Sequence, residues 1–110
     1  MKIKQLIFFG LCVSLLCLII SCTGAKEYNA IAEANLKDAF ANAQAYFADY
    51  PDGQLDLNKL KEEGFNKSQS VIITIIQSGA DNLLISSEHP SGSKIFKISH
   101  DGYIQSSDKS

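Results

Sequence analysis

From Ala25 to Tyr50 the chain reads AKEYNAIAEANLKDAFANAQAYFADY, twenty-six residues without Gly or Pro, and Pro51 follows directly. Larger apolar residues fall at Tyr28, Ile31, Leu36, Phe40, Tyr46 or Phe47, and Tyr50, with Ala32, Ala39 and Ala43 filling the gaps. Steps of three and four trace one helical stripe. Nine alanines raise helix propensity and keep the surface thin enough for close packing. Glu27 suits the positive end of a helix dipole. Glu33 and Lys37 stand at i, i+4 in the favourable order, worth about 0.3 kcal/mol. Pro51 forbids helix at or just beyond Tyr50, and PDG supplies a turn. The pattern therefore predicts one long helix over 25–50. Its aromatics Tyr28, Tyr46, Phe47 and Tyr50 are expected in the core, because they follow the buried face.

A helix with one apolar stripe needs a partner surface, and the second half of the chain supplies strands. The segment 51–70 reads as a connection with a short helix in QLDLNKLKEEGF. Asp56 is its N-cap, Leu57 and Leu60 point inward, and Gly64 closes it at C′. Glu62 and Glu63 make an exposed helical end. Over 71–105 the pattern is strand and turn. Val71–Gln77 is dense in β-branched residues on both faces, which predicts a central or doubly covered strand. Asn82–His89 and Lys94–Ser99 follow, and Asp101-Gly102 signals a tight hairpin to a small fourth strand. Connections this short make neighbouring strands antiparallel. The expected fold class is α+β: one long N-terminal helix packed on a three- to four-stranded antiparallel meander. Residues 106–110 read as a tail.

Composition narrows the function. The chain is 45% apolar and 20% charged, which suits one globular domain. It has no Arg, and without Lys2 and Lys4 only 8 Lys face 12 acidic residues. A nucleic-acid partner is not expected, since phosphate contacts need clustered cations. The three cysteines, Cys12, Cys17 and Cys22, all precede the helix, so the folded part has no disulfide and no thiol nucleophile. His89 beside Pro90 and His100 beside Asp101 have no spacing typical of a metal or a catalytic set, and read as solvated turn histidines. No Gly-rich phosphate loop appears. No catalytic residue, metal or cofactor is expected.

Lys2 and Lys4 begin the chain, and Leu6–Ile20 is a fifteen-residue apolar run. As a helix it would reach roughly 22 Å, short of a hydrocarbon core of roughly 30 Å. That length fits the apolar region of a signal peptide. The run ends in Ile19-Ile20-Ser21-Cys22. This resembles the lipobox of bacterial lipoproteins, with Ile19 where Leu is commoner. The resemblance implies removal of residues 1–21, cleavage between Ser21 and Cys22, and acyl chains on Cys22 that hold residues 22–110 to a membrane facing the periplasm. Two or three chains anchor firmly where one is marginal. Thr23, where an Asp would favour inner-membrane retention, leans toward the outer membrane.

The remainder resembles the extramembrane part of a type IV pilin or pseudopilin. The matching residues are Tyr28 and Asn29, then Leu36, then Ala45-Tyr46-Phe47-Ala48-Asp49 with Pro51, then Gly64-Phe65, and finally His89-Pro90, Gly92 and Lys94. They keep their order over roughly Ala25 to Gln105. The start of the chain departs from that family, whose leader ends in Gly before a mature apolar helix with Phe first and Glu fifth. Cleavage after Gly10 would put Leu11 and Leu15 in those places. Only Leu11–Ile20 would remain as spine, about 15 Å. Some major pseudopilins hold calcium in a C-terminal loop. Here only Asp101 and Asp108 lie near that place, and a hard cation wants six or more oxygens. The resemblance implies a non-catalytic, lipid-anchored, pilin-like accessory or interaction component of a type IV pilus or type II secretion-like system, with pilin or pseudopilin subunits as partners. The alternatives are a divergent filament subunit cut after Gly10, and a small periplasmic lipoprotein with an unrelated binding role.

Overall fold

The computed structural model describes residues 24–109. Two helices precede four strands: α1 is Gly24–Asp49, α2 is Leu57–Glu62, and the strands are β1 Ile72–Gln77, β2 Leu84–Glu88, β3 Lys94–Ser99 and β4 Ile104–Asp108. The strands form one antiparallel sheet in the order β1-β2-β3-β4. The long helix lies across the two middle strands, and α2 packs on α1. The α+β class and the two-layer arrangement read from the sequence are those observed.

The seam between the layers explains the alanines. Ala32, Leu36, Ala39 and Ala43 step by four, three and four and are fully buried. The facing sheet presents two cross-strand rows. Ile73, Ser87 and Phe96 form one; Ile75, Ile85, Ile98 and Ile104 form the other. Small helix residues let the backbone of α1 approach β2 closely. At that approach Ser87 Oγ donates to the carbonyl of Ala32 at 2.7 Å, both residues being buried. A buried hydroxyl without such a partner would cost about 1–3 kcal/mol.

Local chemistry sets the boundaries. α1 stops at Asp49, two residues before Pro51. Asp56 caps α2, its carboxylate accepting from Lys59 N–H at 2.8 Å. Gly64 follows at φ 110, the left-handed position expected of C′. The Glu33–Lys37 pair forms at 3.4 Å.

Several expectations are corrected. β1 is an edge strand, not a central or doubly covered one; Ile72 on its outer face and Ile76 at its bulge are 46% and 47% exposed. The residues taken as a tail from 106 belong to β4, which runs through Asp108; pairing with β3 draws this polar segment into the sheet. Leu57, the first residue of α2, is exposed, and Leu60 alone carries that helix's burial. Glu63, half-buried, is the cap residue after α2. Of the helix aromatics, Tyr46 is buried and Phe47 packs at the core margin, whereas Tyr28 and Tyr50 are exposed. No helix of the described residues is long and apolar enough to cross a membrane. Gly10, Ser21, Cys22 and Thr23, on which the leader and lipid readings rest, lie outside the described residues.

Candidate functional site

Two segments far apart in sequence meet at the start of α1. Tyr28 and Asn29 sit one turn into the helix, and the β2–β3 turn, His89 to Ser93, folds onto them. Asn29 does most of the joining. Its Oδ1 accepts from Ser93 N–H at 2.9 Å and from Lys94 N–H at 3.2 Å, and its Nδ2 donates to Ser93 Oγ at 2.9 Å. One carboxamide thus satisfies two backbone donors at the start of β3.

The turn is shaped to receive it. Gly92 N–H donates to the His89 carbonyl at 2.9 Å, closing a four-residue turn with Pro90 second and Gly92 last, both favoured places. A Cβ on Gly92 would lie 2.5 Å from Asn29 Oδ1, so the glycine leaves the space that the carboxamide fills. His89 turns inward. Its ring stacks on Tyr28 with centroids 4.4 Å apart, and its Nδ1 accepts from Ser91 N–H at 3.0 Å. It is 8% exposed, which corrects the expectation of a solvated histidine; the reason is the Tyr28 ring laid over it. His100, by contrast, is exposed.

The end of the chain closes the cluster. Lys109 N–H donates to the Ser93 carbonyl at 3.0 Å, and Lys109 Nζ donates to the His89 carbonyl at 2.6 Å, with Glu88 Oε2 3.9 Å away. Helix start, β2–β3 turn and chain end are therefore one clasp. An open groove runs beside it between α1 and the sheet, with Ala30 and Phe96 as apolar surface and Lys26, Glu33 and Lys94 at its rim.

A second clasp lies further along α1. Asn35, buried on the apolar stripe, donates to Ser68 Oγ at 2.9 Å and accepts from Ser68 N–H at 2.7 Å, tying the helix to the loop before β1. At the β3–β4 turn Asp101 accepts from the Ser99 hydroxyl and from Tyr103 N–H at 3.2 Å. These two donors, the Ser99 hydroxyl above all, hold its carboxyl below the ordinary value.

Of the residues singled out in the sequence, Tyr28, Asn29, His89, Pro90, Gly92 and Lys94 come together here. Tyr46, Phe47, Asp49 and Pro51 gather at the other end of α1, where Tyr46 Oη donates to the Gln54 carbonyl at 3.3 Å. Gly64 and Phe65 follow α2, with Phe65 buried. Asn35, Ser87 and Lys109 escaped notice; a polar residue on an apolar helical stripe, or a Ser inside a strand, was the available signal. Among the described residues, no three His, Cys, Asp or Glu side chains converge to hold a metal ion. What the clasp offers chemically is hydrogen bonding, ring stacking and one charged pair. Comparison with protein-family models and with curated proteins gave no match.

Proposed function

We propose that this chain is a non-catalytic, lipid-anchored protein of pilin-like fold, serving as an interaction or accessory component of a type IV pilus or a type II secretion-like system. The observation that carries the reading is the clasp. Tyr28 and Asn29 from one end of the pilin resemblance, and His89, Pro90, Gly92 and Lys94 from the other, have a shared structural reason to occur together. A pattern matched by composition alone would have no such cause. The long α1 on a meander supports the same reading, as does the Ile19-Ile20-Ser21-Cys22 sequence at the end of a run too short for a filament spine.

In this reading the lipid on Cys22 replaces the apolar helix of a filament subunit. The first described residue, Gly24, is two positions beyond that anchor, so α1 begins close to the membrane surface. The body is then presented beside the membrane, where assembling pilins or pseudopilins pass. Affinity capture from detergent-solubilised envelopes with the tagged full chain tests the partner class. Recovery of pilin or pseudopilin subunits is expected. Their repeated absence, with the bait intact and membrane-bound, contradicts the proposal.

A further inference from the structure

We propose that β1 is a homotypic pairing edge, through which a second copy of this chain extends the sheet antiparallel across a two-fold axis at Thr74. The proposal needs nothing from the pilin-like reading. It starts from an asymmetry between the two sheet edges. β4 reads Ile104-Gln-Ser-Ser-Asp108 and is followed by Lys109, a polar and charged edge of the kind that resists pairing. β1 reads Ile72-Ile-Thr-Ile-Ile-Gln77 with no charge at all. No described strand lies on its far side, and no described backbone group bonds to it from there.

The occupant is identified by the pattern. Ile72-Ile73-Thr74-Ile75-Ile76 reads the same in both directions about Thr74. Antiparallel pairing of two copies centred there puts Ile73 against Ile75 and Thr74 against Thr74, with Ile72 opposite the bulged Ile76. Every pair matches, and no like charges meet. A heterologous strand would have no reason to find a palindrome. The faces agree as well. Ile72 and Thr74 are exposed on the outer face and Ile76 is exposed at the bulge, whereas Ile73 is buried and Ile75 half-buried on the core face. The two-fold therefore brings the exposed Ile72 of each copy beside the exposed Ile76 of the other, and regular cross-strand pairs of apolar β-branched residues contribute about 0.2–1 kcal/mol each.

The surroundings leave room for such a strand. An open groove borders β1 between Ile73–Ile76 and the segment Leu55–Leu57, and Leu57, 40% exposed, stands at its wall. The bulge between Ile75 and Gln77 falls on Ile76, the last residue of the palindrome, and confines regular pairing to Ile73–Ile75 and its immediate flanks. The composition of β1 that reads as a covered strand is then accounted for, with the cover supplied by another molecule.

The test uses the full chain in detergent, its protein mass measured by light scattering corrected for bound detergent over a dilution series. Wild type is expected to dimerise reversibly. Thr74→Lys places two ammonium groups together at the axis and is expected to weaken dimerisation at least tenfold, roughly 1.4 kcal/mol or more. Thr74 is exposed on the outer face, and circular dichroism checks that the variant keeps its fold. In membranes, Thr74→Cys is expected to give a disulfide dimer on mild oxidation above the wild-type background, and Ser106→Cys on the opposite edge is not. A wild type monomeric throughout the series, a Thr74→Lys variant that dimerises like wild type, or equal cross-linking at both edges would each overturn the proposal.

Discussion

Asn29 and Gly92 are two halves of one device, and their energetics should show it. Asn29→Ala removes three solvent-exposed hydrogen bonds and leaves two backbone donors at the start of β3 to water, an expected loss of about 0.5–1.5 kcal/mol. Gly92→Ala pushes the same carboxamide away, so it should lose a similar amount. The double variant should then cost clearly less than the sum, since both changes break one interaction. Denaturant midpoints of the four proteins check this, and strict additivity would count against the clasp. Asp101 supplies a second prediction at this scale. Its folded-state value lies below the unfolded one, because the Ser99 hydroxyl and the Tyr103 N–H favour the charged form. The turn's contribution is therefore present above the unfolded value and is lost as pH falls through the folded value. An NMR titration should find Asp101 below 3.8, the ordinary value, and Ser99→Ala should move it upward. An unchanged titration in that variant would show that the hydroxyl is not the cause.

At the scale of elements, β4 gives the sharpest prediction. If residues 106–110 were a tail, their removal would be nearly neutral. In the structure residues 106–108 complete β4, and Lys109 bonds to the carbonyls of Ser93 and His89. Truncation after Gln105 should lower stability by more than about 2 kcal/mol, the loss of a strand edge and of two clasp bonds. Thermal or denaturant melts decide it, and an unchanged midpoint would restore the tail reading. The misreading has a physical cause. Ser-Ser-Asp-Lys has little intrinsic preference for strand, and β3 imposes it through pairing. β1 was misread in the opposite sense: isoleucines on both faces signal a wish for cover, but strand order, which no local pattern records, put β1 at the edge. The helices were legible because their signals are local. The Ala and aromatic stripe, Pro51, the Asp56 cap and Gly64 each act within a turn of where they stand. The candidate site was half legible. The resemblance picked out Tyr28, Asn29, His89, Gly92 and Lys94, but their meeting depends on the fold. A histidine beside Pro and Ser reads as a surface turn until a tyrosine from the other end of the domain is laid on it.

Across the whole molecule, one thin helix closes one face of one small sheet, and polar side chains rather than cross-links set its position. Asn29, Asn35 and Ser87 tie α1 to the β2–β3 turn, to the loop before β1 and to β2. The proposal that this body hangs from acylated Cys22 is tested most directly by mass spectrometry of the mature N-terminal peptide from envelope-derived protein. The account predicts a chain beginning at Cys22 and carrying fatty acyl groups. A chain beginning at Leu11, or any start upstream of an unmodified Cys22, would contradict it.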